Sequence, residues 1–155
     1  MPGITDFLRR ENCLCGLSAG GKEDAVRELC ALLAANGDIA DTESVYDAVK
    51  SRELLGSTGI GDEIAIPHAK TASVKSLSGA FGLSREGVEF YSADGKPAKL
   101  VFLLVSSENG AGEHLKALAR VARLVRRPSF RERAATAKDA DELYAVISSE
   151  DAELG

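Results

Sequence analysis

The run Lys99 to Val105 reads KLVFLLV, and it limits the possible folds more than any other stretch of the chain. After Lys99 it holds no polar residue, so a strand here offers no face to water and belongs at the centre of a sheet, covered on both sides. A second strand is expected over Leu77 to Leu83 (LSGAFGL), with Asp94-Gly95 marking the turn that leads into the central one. A shorter apolar run, Ile64-Ala65-Ile66, stops against Pro67. Proline disfavours the α region for the residue before it, so Ile66 is expected to be extended and His68 to sit just past a strand end.

Helical patterns stand on both sides of these strands. The loop Ser18-Ala19-Gly20-Gly21 opens a helix in which Val26, Leu29, Cys30 and Leu33 recur at helical spacing, and Asn36-Gly37 closes it. A second helix starts at Asp41 or Thr42, buries Val45, Ala48, Val49 and Leu55, and ends at Gly56. A long helix from about Glu113 to Arg127 carries an apolar stripe of Leu115, Leu118, Ala122 and Val125. Ser129-Phe130-Arg131-Glu132 has the pattern of a capping box opening a short helix. Asp139 caps the last helix, which buries Leu143, Val146 and Ile147. Residues 1–20 are ambiguous in pattern: Phe7 and Leu8 fit a short helix, and Cys13 to Leu17 fit a strand. No linker, repeat or low-complexity segment interrupts the pattern. The fold class expected is α/β: one domain over residues 1–155, with a mixed β-sheet covered by helices on both faces.

At 155 residues the chain can bury one full core. Its net charge of −5 argues against general nucleic-acid binding, which rests on Lys and Arg neutralising phosphates. No apolar run reaches membrane-spanning length, and MPGITDFLRR is no signal peptide, so no membrane insertion is expected. Three cysteines, two of them only two positions apart, do not make a disulfide framework and fit a reducing cytoplasm.

Chemistry concentrates between Arg52 and Lys70, RELLGSTGIGDEIAIPHAK. Glycines at 56, 59 and 61 punctuate a loop that faces His68 across the short apolar run. His68 has two readings: a satisfied turn or core histidine, or a neutral imidazole whose lone pair does chemistry on an anion. Backbone N–H groups from Thr58 to Gly61 could spread charge over phosphoryl oxygens, since glycines let the main chain come close. The other histidine, His114, falls in the first turn of the long helix. There it is either a solvated helix-start residue or a neighbour of an anion held by unpaired N–H groups and the helix dipole.

GSTGIGDEIAIPHAK resembles the active-site signature of the fructose/mannitol/nitrogen-regulatory (type 2) class of enzyme IIA in the bacterial phosphoenolpyruvate-dependent phosphotransferase system. The resemblance implies that His68 carries a phosphoryl group. It also implies that His114, in the context H-L-x-x-L-A, stabilises that group as a second histidine. Arg52 is carried over in the same way, its forked donors suiting phosphate oxygens; the plainer reading makes it a partner for a helix C-terminus. Thr58 either hydrogen-bonds the imidazole or the phosphate, or merely satisfies its own loop. The donor implied is the phosphohistidine of the small carrier protein HPr or of its nitrogen-branch paralogue. Neither cofactor nor metal is implied, since that donor is already activated. With no IIB or membrane domain attached in the sequence, the stand-alone nitrogen-regulatory subtype, which acts on target proteins, is favoured. A sugar-specific IIA that passes the group to a IIB cysteine, and a binding module that is never phosphorylated, are the alternatives.

Other signals carry less. Gly16 to Lys22 matches the first seven positions of a phosphate-binding P-loop, but Glu23 stands where a Ser or Thr is needed, and its carboxylate would repel phosphates. Two histidines and a Cys-x-Cys do not make a zinc site, and Ser57 lacks the partners of a nucleophilic serine. Lys116, Arg120, Arg123 and Arg127 line one side of the long helix, either as a solvated face or as a stripe that docks an acidic partner. Ile60 and Leu55, beside the glycine loop, are candidates for contact with the donor.

Overall fold

The computed structural model describes residues 3–18 and 20–155, so Ala19 of the expected helix-opening loop lies outside the described residues. In chain order, a 3₁₀ turn (Ile4–Asp6) leads into β1 (Leu8–Cys15), α1 (Lys22–Ala35) and α2 (Thr42–Leu54). Then come β2 (Gly59–Gly61), β3 (Ile64–Ala65), β4 (His68–Lys70), β5 (Ser78–Val88) and β6 (Ala98–Ser106). Helices α3 (Ala111–Val125), α4 (Pro128–Ala135) and α5 (Ala140–Ala152) complete the chain. The sheet runs β1-β5-β6-β3-β2, with β4 continuing beside β6 beyond β3. It is mixed: β5 is antiparallel to β6, whereas β3 and β4 are parallel to it.

The central strand behaves as its composition requires. Successive side chains point to opposite faces of a strand. Leu100, Phe102 and Leu104 therefore belong to one apolar cluster with Val121, Leu124 and Phe130 of α3 and α4 and with Leu143 and Ile147 of α5. Val101, Leu103 and Val105 pack on the other side against Val26, Leu29 and Leu33 of α1 and Val45 and Val49 of α2. The result is one domain with helices on both faces of a mixed sheet. Asp139 caps α5 by accepting from Glu142 N at 2.8 Å, and Gly37 takes up φ 81° after α1, both as their sequence signals require.

Several local expectations change. The N-terminal strand covers Leu8–Cys15, not Cys13 to Leu17, and Phe7 ends the 3₁₀ turn while Leu8 opens the strand. Charged Arg9, Arg10 and Glu11 hide the strand pattern because β1 is a sheet edge, and charges there block pairing with another chain. Helix α2 ends at Leu54, so Leu55 caps it and points into solvent at 84% exposure, while Tyr46 is buried. In α3 the buried side runs through His114, Ala117, Val121 and Leu124, leaving Leu115 67% exposed. The capping box at Ser129 does not form. Pro128 opens α4, and the Ser129 hydroxyl donates to Glu150 Oε1 at 2.6 Å.

The basic stripe of α3 is not a free surface. Arg120 is only 6% exposed, with Nε 2.8 Å from Asp151 Oδ1 and Nη2 3.0 Å from Asp151 O. Arg123 reaches Leu154 O at 3.3 Å, and Arg127 pairs with Glu150 at 3.2 Å and Glu153 at 2.5 Å. These arginines lie against the C-terminal end of α5, where unpaired carbonyls and the negative end of the helix dipole favour cations. Lys116 alone of the four stays exposed and unpaired among the described residues. No helix among the described residues is long and apolar enough to cross a membrane.

Candidate active site

His68 is placed by the parallel pairing of two short strands with β6. Pro67 sits between β3 and β4 without breaking that pairing, because its carbonyl still accepts from Leu104 N at 3.0 Å. His68 therefore opens β4, level with Leu104, instead of hanging past a strand end. Its Nδ1 lies 2.8 Å from Ile66 O. A carbonyl can only accept, so Nδ1 carries the ring hydrogen and Nε2 keeps its lone pair. Partial burial lowers the pKa of His68 and the bond to Ile66 works against that. Arg52 and Lys70 lower it further, while Glu53 raises it. The ring is neutral at neutral pH.

His114 comes from α3, the helix on the face of the sheet to which Leu104 points. It is the fourth residue of α3, buried, with Nδ1 2.7 Å from Ser106 Oγ. Burial, with the added charge of His68 and Lys70, brings its pKa down to about 4. The two imidazole centroids lie 5.6 Å apart with their planes tilted by 50°. Gly110 precedes α3 and has no side chain to cap it. Arg52, on the last turn of α2, is half-buried and donates from Nη1 to Gly56 O at 3.0 Å, which leaves its remaining guanidinium donors for a ligand. His68, His114, Arg52, Lys70, Leu55 and Leu118 line one open cleft of about 400 Å³.

Thr58 is not part of that lining. Its hydroxyl donates to Glu53 Oε1, and its amide lies 3.3 Å from the same carboxylate. Since a phosphate oxygen needs a donor, the Thr58 hydroxyl hydrogen is already committed elsewhere. The glycine loop is likewise closed on itself. Gly59 N donates to Ser57 Oγ at 3.0 Å, and the Ser57 hydroxyl donates to Phe90 O. A Cβ at position 59 would collide with Ser92 Oγ and stand 3.0 Å from Phe90 Cβ. Gly61, at φ 87°, begins the tight turn that Asp62 and Glu63 complete at φ 56° and 65°. These glycines let a small hairpin pack closely. The amides of Thr58 and Gly59 are spent within it, so the expected phosphate cradle from this stretch loses those two donors.

Three residues of the neighbourhood escaped the sequence reading. Lys70 is the last residue of the signature, given no role there, and shares the cleft with both histidines. Ser106 ends the apolar run of β6 and holds His114. Glu53, 9% exposed, accepts from Thr58 and forms an ion pair with Lys22 of α1 at 3.2 Å, tying the loop to the first helix. Only Glu53 had a usable signal: a carboxylate beside Arg52 at a helix position that faces the sheet.

The cleft thus combines one imidazole lone pair, a second neutral imidazole and two cations. That set suits a tetrahedral dianion attached to the first ring. The family model described as "Phosphoenolpyruvate-dependent sugar phosphotransferase system, EIIA 2" matches residues 6–150. A "Nitrogen regulatory protein" of Bradyrhizobium diazoefficiens is 37% identical over 145 residues, 94% of this chain and 94% of that protein. The "PTS system fructose-specific EIIABC component" of Bacillus subtilis is also 37% identical, over 148 residues, but the match spans 96% of this chain and only 23% of that protein. The crystal structure of "Nitrogen Regulatory Protein IIA-Ntr" from Neisseria meningitidis superimposes with a TM-score of 0.85 at 36% identity, covering 93% of this chain and 98% of that one.

Proposed function

The chain belongs to the EIIA 2 family of the phosphoenolpyruvate-dependent sugar phosphotransferase system, and from that premise we propose that it is a phosphocarrier whose acceptor atom is His68 Nε2. The donor is the phosphohistidine of HPr or of a nitrogen-branch HPr. The lone pair of His68 Nε2 attacks phosphorus and becomes the new nitrogen–phosphorus bond, while the donor's nitrogen–phosphorus bond breaks and its imidazole leaves with the electron pair of that broken bond. No proton has to move. His68 keeps its Nδ1 hydrogen, and the positive charge that its ring acquires strengthens the hydrogen bond to Ile66 O. Arg52 stabilises charge on the transferring oxygens, and His114 supports it from the other wall of the cleft. Thr58, through Glu53, holds the loop that forms the rim.

The observation that carries this reading is the Nδ1 bond to Ile66, which leaves Nε2 as the one nucleophilic nitrogen of an uncharged ring. Regulation of target proteins in the cytoplasm is the role we favour, supported by the similarity to nitrogen regulatory proteins over nearly their whole length. Equal identity to a fructose-specific component supports the second reading, in which the group moves on to a cysteine of a IIB domain. The test is incubation with phosphoenolpyruvate, enzyme I and HPr, followed by intact mass. One acid-labile phosphate is expected on the native chain and none on His68→Ala. A phosphate that persists in His68→Ala, or survives acid, removes the reading.

A further inference from the structure

We infer that Ser106 is a positioning residue: its hydroxyl fixes the His114 imidazole with the ring hydrogen on Nε2, so that His114 donates to the phosphoryl group on His68. The inference rests on the proposed function, but it begins from a hydrogen count. Ser106 is 1% exposed, at the end of β6, and its Oγ lies 2.7 Å from His114 Nδ1. Its main-chain oxygen is occupied by Thr71 N at 3.0 Å. Among the described residues its hydroxyl has no other hydrogen-bond partner. If Nδ1 were the donor, the hydroxyl hydrogen would be stranded away from water without an acceptor, an outcome that buried polar groups avoid. Ser106 therefore donates, Nδ1 accepts, and the single hydrogen of the neutral ring sits on Nε2.

The consequence is a division of labour between two rings of the same type. His68, held by a carbonyl, presents a lone pair; His114, held by a hydroxyl, presents an N–H. Because His114 stays neutral down to about pH 4, it has only one hydrogen to give, and the opposite tautomer would turn a lone pair toward phosphate oxygens. The hydroxyl also stops the ring from rotating. Ser106 is not among the residues that line the cleft, so its contribution passes through His114.

Nitrogen-15 NMR of the unphosphorylated protein reads the tautomer directly. His114 is expected to show an acceptor-type Nδ1 and a protonated Nε2 in the native chain and in Ser106→Thr, which keeps the hydroxyl. In Ser106→Ala the two shifts should move toward an exchange-averaged pattern. Transfer from phospho-HPr should slow by about tenfold in Ser106→Ala, less than loss of the donor itself costs. It should return to near the native rate in Ser106→Thr and be unaffected by Ser106→Ala when His114→Ala is already present. A hydrogen on Nδ1 of His114 in the native chain, or an undiminished Ser106→Ala effect in the His114→Ala background, overturns the inference. Neither result bears on whether His68 takes up phosphate, and absence of that uptake leaves the NMR readout intact, so the two failures are distinguishable.

Discussion

Arg52 and Arg120 lie on opposite faces of one sheet, on helices that were both read as offering cations to a partner. Arg52, half-buried on the last turn of α2, has one carbonyl partner and faces an open cleft. Arg120, enclosed between α3 and α5, has a carboxylate, the carbonyl of the same residue and the carbonyl of Gly155 at 3.3 Å. What separates them is whether the fold itself consumes the donors. A guanidinium with its donors consumed binds the structure together, and one left with spare donors is ready for an anion.

The comparison breaks if the two arginines respond alike to truncation. Arg120→Ala leaves Asp151 buried without its cation, and urea denaturation is expected to show a loss of about 3–5 kcal/mol. Transfer from phospho-HPr at saturating donor should stay within about twofold under native conditions, since no reacting group is touched. Arg52→Ala reverses the pattern. The transfer rate should fall about 10²–10³-fold, as for other groups that meet developing charge, with stability changed by no more than about 1 kcal/mol. Equal stability losses in the two variants would show that Arg52 is a structural residue.

A smaller effect sharpens the picture of the open side. Leu55 and Ile60 are exposed apolar residues near the cleft, at 84% and 49% exposure, and a donor protein must cover this ground to bring its phosphohistidine in line. Leu55→Ser is expected to raise the KM for phospho-HPr roughly fivefold with kcat unchanged, the mark of lost binding rather than lost chemistry. A fall in kcat alone would place Leu55 in the chemical step.

A further effect concerns pH. The folded pKa of His114 is about 4, below the value near 6.5 of an unfolded histidine. Between those values the unfolded chain binds the extra proton, so stability contributed by the neutral ring is complete above about pH 6.5 and declines as pH falls toward 4. Unfolding free energies at pH 7 and pH 5 should therefore differ more for the native chain than for His114→Asn. For His68, also lowered, the transfer rate should hold level from pH 8 to about 6.5 and fall only below it, where Nε2 becomes protonated.

The architecture was largely legible because KLVFLLV permits only a strand buried on both faces, and the helices around it carry regular periodicity. His68 stood out in a local signature, Arg52 and His114 were carried over from their own contexts by the resemblance, and the structure brings the three side chains to one cleft. The misread parts depend on residues far apart in sequence. Arg120 looked like surface because its partner, Asp151, lies 31 positions downstream on another helix. The glycines looked like a phosphate cradle, yet Ser92 and Phe90, more than thirty positions away, determine how closely position 59 packs. The hydroxyl of Thr58 was offered to the site, but a buried carboxylate one helix turn upstream takes it. Helical and strand periods report which face is buried. They do not report which buried polar group finds which partner.

The measurement that tests the central claim most directly is phosphorus–nitrogen coupling in nitrogen-15-labelled protein after phosphorylation by HPr. The account predicts that phosphorus couples to Nε2 of His68 while Nδ1 keeps its hydrogen and its bond to Ile66 O. Coupling to Nδ1, or to either nitrogen of His114, would contradict it.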